Sequence, residues 1–173
     1  TTVPAPVAAA VSTCSGSTAT LNATPSQTGS IMKWYTSAAG TTSVHTGSSY
    51  TTGALTTQTS FWVQDSISGC PASARTEVVV SINALPSVNA GADFTVCEGA
   101  NITLTGSGAV SYTWNNGVSN GVAFPINTTT TYTVTGTDAN GCVNTDQVTI
   151  TVHALPTVVA QVSDATVCPG QSV

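Results

Sequence analysis

Charge is what this chain has least of. Of 173 residues, 2 are Lys or Arg and 7 are Asp or Glu, a charged fraction of 5% against the roughly 25% of an ordinary soluble domain. The net charge of −5 and a pI near 4.3 leave no basic surface, which removes nucleic acid and anionic membrane from the candidate partners. Long apolar runs are missing too. The apolar fraction of 40% suffices for packed cores, but no run approaches the roughly 18 residues of a membrane-spanning helix. No segment shows a helical period. A basic, then apolar, then small-residue leader does not open the chain at Thr1, so an export signal is expected to have been removed or to lie outside this sequence.

Catalytic patterns are equally scarce. There is no G-x-S-x-G turn, no H-E-x-x-H and no phosphate-binding loop, the arrangements that would activate a nucleophile, a zinc-bound water or a phosphate. The seven acidic residues are scattered, with no spacing that suggests a paired general acid and base. The chain therefore reads as non-catalytic and without a resident cofactor. Isolated cysteines, with His45 and His153 far from ligand spacing, exclude a zinc site. Calcium is the metal that stays open, because Asp93, Asp138, Asp146 and Asp164 fall near turns or linkers where oxygen ligands could converge; lone turn aspartates more often cap backbone amides.

What is abundant is hydroxyl: 33 Thr and 20 Ser. The chain also repeats itself. LPSVNAGADFTVCEGANI from Leu85 returns as LPTVVAQVSDATVCPGQSV from Leu155, and a fainter copy, PVAAAVSTCSGSTATL, spans Pro6 to Leu21. The ends of the units agree as well: TTQTSFWVQDSISGC (56–70) parallels TTTTYTVTGTDANGC (128–142). Boundaries are therefore expected to give units over 1–83 and 84–154, with 155–173 beginning a further repeat.

Within the second unit apolar and polar residues alternate: Ile102 and Leu104, Tyr132 and Val134, then Val148, Ile150 and Val152. Period-two patterning in Thr and Val describes antiparallel strands with one wet face. Asn116-Gly117, Asn120-Gly121 and Asn140-Gly141 supply turn residues that tolerate positive φ. Six or seven short strands in about 70 to 80 residues predict an all-β chain of tandem immunoglobulin-like β-sandwiches. Trp34, Phe61, Trp114 and Tyr132 are expected to fill the two cores, and Tyr35, Trp62 and Tyr112 to be the more exposed aromatics, on which a sugar ring could stack.

The five cysteines follow the repeat. Each full unit has one before its second strand (Cys14, Cys97) and one in a Gly-Cys turn (Cys70, Cys142), and Cys168 is expected to pair outside the sequence. Disulfides place the chain outside the cytoplasm. Six strands, each antiparallel to the last, would bring the first and final turns to the same end and favour Cys14–Cys70 and Cys97–Cys142. A seventh crossing would put them at opposite ends and bring Cys14 to Cys142 of the next unit; the second unit counts nearer six, with GVAFPI as a single strand between the Trp strand and the TTTTYTV strand, so pairing within units is the expectation. Asn22, Asn101 and Asn127 match the N-glycosylation pattern.

LPSVNAGADFTVCEGANITLTGSGAVSYTWNNGV and TTTTYTVTGTDANGCVNTDQVTITV resemble the Ig-like and PKD-like repeats of very large Bacteroidetes surface proteins, and the first unit, with KWYTSAAG and SGCPASARTEVVVSI, resembles the Ig-like module that accompanies them. Trp114-Asn-Asn-Gly-Val departs from the PKD pattern, which carries an Asp after its Trp. The resemblance implies export by the type IX secretion machinery and display at the cell surface, as in gliding-motility adhesins. Asp65-Ser66-Ile67 is similar to a Bacteroidetes O-glycosylation acceptor, with Ser66 as the glycosylated residue. The reading that follows is a structural stalk or filament segment of a surface adhesin, partnered by neighbouring repeats. The alternative is a module of a secreted multimodular hydrolase that binds surface polysaccharide or acts as a spacer.

Overall fold

The computed structural model describes residues 2–161. Residues 162–173, with Asp164, Cys168 and the first strand expected of a further repeat, lie outside the described residues. All regular structure among the described residues is β, and no helix there is long and apolar enough to cross a membrane.

The first sandwich contains β1 (Val7–Ala8), β2 (Val11–Cys14), β3 (Thr20–Thr24), β4 (Ile31–Tyr35), β5 (His45–Thr46), β6 (Ser49–Thr51), β7 (Thr59–Ser66) and β8 (Thr76–Asn83). A five-stranded sheet, β2-β8-β7-β4-β5, lies against a three-stranded one, β1-β3-β6. Alternation decides which side chains meet between them. Leu21 and Ala23 from β3, Met32 and Trp34 from β4, Phe61 and Val63 from β7, and Val78 and Val80 from β8 form one buried cluster. Trp34 is fully buried and donates Nε1–H to the Gly47 carbonyl at 2.9 Å, so its single polar group is satisfied.

The second sandwich contains β9 (Phe94–Cys97), β10 (Ala100–Thr103), β11 (Ser111–Trp114), β12 (Ala123–Ile126), β13 (Thr130–Thr137) and β14 (Val143–His153). Its sheets are β11-β13-β14-β9 and β10-β12. Ile102, Leu104, Trp114, Ile126, Tyr132, Val134, Val148 and Ile150 make a separate core. Here the tryptophan Nε1 donates to Asn120 Oδ1 at 3.0 Å, and that oxygen also accepts from Gly106 N at 2.8 Å. Asn116 and Gly117 both have positive φ, 55° and 72°, as the Asn-Gly pair predicts.

In both sandwiches the first long strand pairs in parallel with the last one. Cys14 lies opposite Asn83 in β2–β8, and Cys97 lies opposite His153 in β9–β14. The turn cysteines precede the start of those last strands, so each unit carries its two cysteines at opposite ends. Ten residues of β14 alone separate Cys142 from the level of Cys97 by roughly 33 Å, whereas a disulfide needs Cα atoms about 4.4–6.8 Å apart. The pairs Cys14–Cys70 and Cys97–Cys142 are therefore not formed. The six-strand count holds for the second unit, but strict alternation does not. β13 is antiparallel to β11, and the three-residue turn from β12 reverses the chain, so β11 and β12 run in the same sense. Residues 115–122 make the return crossing outside any ladder, tied to the core by Gly121 N donating to the Leu104 carbonyl at 2.8 Å.

Candidate functional site

The joint between the sandwiches is the most constructed feature of the molecule. Cys14 ends β2 and bonds to Cys142 of the following unit, with Cα atoms 5.6 Å apart and a sequence separation of 128. Each partner is held by backbone geometry. Ser15 N donates to the Asn83 carbonyl at 2.9 Å and Gly16 N to that of Leu55 at 2.8 Å, which fixes the turn after Cys14. On the other side Asp138 Oδ1 accepts from Asn140 N and Cys142 N, both at 2.8 Å, while Asp138 N donates to the Cys142 carbonyl at 3.0 Å. The carboxylate thus closes the β13–β14 turn from inside. Cys142 is fully buried although it sits in a turn.

The linker is bolted to the second unit. Asn144 Nδ2 donates to the Pro86 carbonyl at 3.0 Å, and Asn89 and Ser107 exchange two backbone bonds at 3.0 Å. Ala90 N donates to Asp146 Oδ2 at 2.8 Å, and this backbone bond, with a second from Gln147, holds the Asp146 carboxyl below its ordinary 3.8. Two glycines make room for the linker. A Cβ at Gly108, where φ is +86°, would run into the Ser87 carbonyl oxygen, and one at Gly136 would stand 2.5 Å from Val88 Cγ2. Beside Cys14, an open groove of about 430 Å³ is lined by Ser15, Thr56, Thr57, Gln58, Ser81, Ile82 and Ala84; it carries no charged group.

The remaining sequence-derived residues do not converge. Asp93 Oδ1 accepts from Thr149 N at 2.7 Å, so Asp93, Asp138 and Asp146 each hold a different backbone segment, and no group of three His, Cys, Asp or Glu side chains gathers among the described residues. Tyr35, expected at the surface, is buried. The Arg75 guanidinium lies 3.5 Å above its ring and donates to the carbonyls of Ser37, Ala38 and Gly40. This cation covers the face a sugar would use. Trp62 is half-buried beside Tyr35 in the ladder, and Tyr112, in the other unit, is half-buried with its hydroxyl bonded to Ala109 N and O. Ser66 is half-buried on β7 and donates to the Ile31 carbonyl at 3.1 Å; Asn22, Asn101 and Asn127 are exposed.

Sequence reasoning placed Asp65 only in the Asp65-Ser66-Ile67 pattern and did not anticipate its burial. It is fully buried, its Oδ2 accepting from Ser26 N at 2.7 Å, while Oδ1 and the Ser26 hydroxyl have no partner. The alternating run Phe61, Val63, Asp65 on β7 is the signal that points it inward.

Residues 2–83 match a family model described as an Ig-like domain, CHU_C associated. No curated protein matches the chain. Among solved structures it is similar to the DIP-gamma IG1+IG2 pair (15% identity, 87% of this chain and 98% of that one, TM-score 0.34). Titin Z1Z2, solved in complex with telethonin, is another neighbour (16%, 90% and 100%, TM-score 0.37), as is the insect immune protein hemolin (9%, 86% and 47%, TM-score 0.40). Two facing sheets per unit, a first strand parallel to the last and the match over residues 2–83 make this an all-β chain with an Ig-like fold.

Proposed function

We propose that this chain is a non-catalytic structural segment, a stalk or filament piece, of a secreted bacterial cell-surface adhesin, and that it provides reach and stiffness under load. The observation that carries this reading is the Cys14–Cys142 bond across the joint. A pull along the array enters at the N-terminal side, climbs β2 to Cys14, crosses the bond to Cys142 and leaves along β14. Both strands on that route are already extended. The chain between the staple ends, a sequence separation of 128, carries no load, so up to about 450 Å of chain is locked away from extension. Both sandwich cores lie almost wholly within that interval. A joint held by a linker alone would bend and each sandwich would open separately. The bond also supports an extracellular setting, since such bonds persist in oxidising compartments, and a hydroxyl-rich surface with few charges stays solvated without strong fields.

Single-molecule pulling from the two ends tests the reading. The oxidised chain is expected to extend without a sandwich-unfolding event, and the reduced chain, or Cys14→Ser, to show two. The same two events in both states would overturn it.

A further inference from the structure

Two thiols are left over, and the repeat says what they are for. Among the described residues Cys70 and Cys97 are free and exposed. Cys97 occupies in the second unit the place Cys14 occupies in the first. Each is the last residue of an edge strand parallel to the unit's final strand, opposite Asn83 in one case and His153 in the other. The backbone around them repeats as well. Ser15 N donates to the Asn83 carbonyl at 2.9 Å, and Glu98 N to that of His153 at 2.9 Å; Gly16 N bonds to Leu55 O at 2.8 Å, and Gly99 N to Ile126 O at 2.9 Å. Gly16 and Gly99 share φ, +80° and +79°. Cys70 likewise ends a Gly-Cys turn between the last two strands, where Cys142 ends its own, with Gly69 and Gly141 at φ +81° and +78°.

We infer that Cys97 and Cys70 are the two halves of further staples of the Cys14–Cys142 kind, and that the end faces carrying them are docking surfaces for other units of the same class. Cys97 takes the turn cysteine of a following unit. Cys70 takes the strand-end cysteine of a preceding one. The two cannot satisfy each other within one molecule, because they lie at the far ends of the two-unit body. Each bond joins two thiols, releasing two protons and passing two electrons to an oxidant, a protein disulfide or glutathione disulfide in the exporting compartment. Resting on the load-bearing role of the Cys14–Cys142 bond within the pair, these bonds give each outer end a covalent partner in the next unit.

Cys97 lies inside the Cys14–Cys142 interval, so successive staples overlap, and every backbone bond of the array between its first and last staple is spanned by at least one disulfide.

The test extends the chain by one unit: residues 85–154 are copied once after Ala154, and the product is folded in a glutathione redox buffer, blocked with iodoacetamide and mapped by non-reducing peptide mass spectrometry. The expected result is a peptide joining Cys97 to the copied turn cysteine, alongside Cys14–Cys142, with Cys70 alkylated. Alkylated Cys97 beside an intact Cys14–Cys142 bond would overturn the inference, as would Cys97 bonded to Cys70. Absence of Cys14–Cys142 itself would remove the template and overturn it together with the load-bearing reading, whereas loss of Cys97 pairing alone leaves that reading standing.

Discussion

Asp146 is one of seven acidic residues, and its partner is a backbone amide instead of a cation. Its carboxyl lies below 3.8 because the Ala90 amide, and secondarily that of Gln147, stabilises the ionised form. A depressed folded value means that Asp146 contributes to holding the linker on the second unit above the unfolded value, and that this contribution is lost as pH falls through the folded one. Amide exchange at Ala90, compared between the native chain and Asp146→Asn, should therefore differ at neutral pH and converge on acidification below about pH 3.8; a difference independent of pH would sink the assignment. Such roles are only half legible in sequence. A turn aspartate announces that it will cap an amide, but which amide depends on residues far away, 56 positions in this case. Tyr35 shows the same limit: the pattern IMKWY sets it on a strand, and only the fold brings Arg75, 40 residues later, over its ring.

At the scale of elements, alternation read the strands well, because side-chain period two is local. β7, β13 and β14 follow it along their buried stretches. What it could not read is the direction of travel between sheets. Residues 115–122 cross the sandwich without a ladder and so leave no periodic trace, yet that crossing decides the end at which Cys142 emerges. The linker is another element set by contacts more than by pattern. Gly108 is needed twice over, for its φ of +86° and for the space that the Ser87 carbonyl occupies. Gly108→Ala is expected to cost about 2–4 kcal/mol, combining left-handed strain with displaced backbone. Hydrogen exchange resolved by unit should show the loss in β9–β14 with β3–β8 unchanged. Uniform loss across both units would mean that the joint and the two cores unfold as one.

For the whole molecule, the repeat offset told which cysteines are equivalent but not which units they join, since equivalence is a property of sequence and pairing a property of strand direction. Once the first strand is parallel to the last, a bond within a unit is out of reach and the joint becomes the place where two cysteines meet. Closing a loop of 128 residues removes about 5 kcal/mol of chain entropy from the unfolded state in the simplest treatment. It also changes what a backbone cut can do. Trypsin has two sites here, Lys33 in β4 and Arg75 just before β8, and both fall between Cys14 and Cys142. Arg75 is further restrained by its three carbonyls and the Tyr35 ring. A cut at Lys33 alone leaves residues 1–33 tied through Cys14 to the remainder. A singly nicked chain should therefore run at the full 17.2 kDa on a denaturing gel without reductant and fall into two pieces when reduced. Only cuts at both sites should release a fragment, residues 34–75, because Cys70 is its one cysteine and is not part of the bond. Separation of residues 1–33 from a singly cut chain in the absence of reductant would show that the joint is not covalently closed, and the load path drawn through it would fall with it.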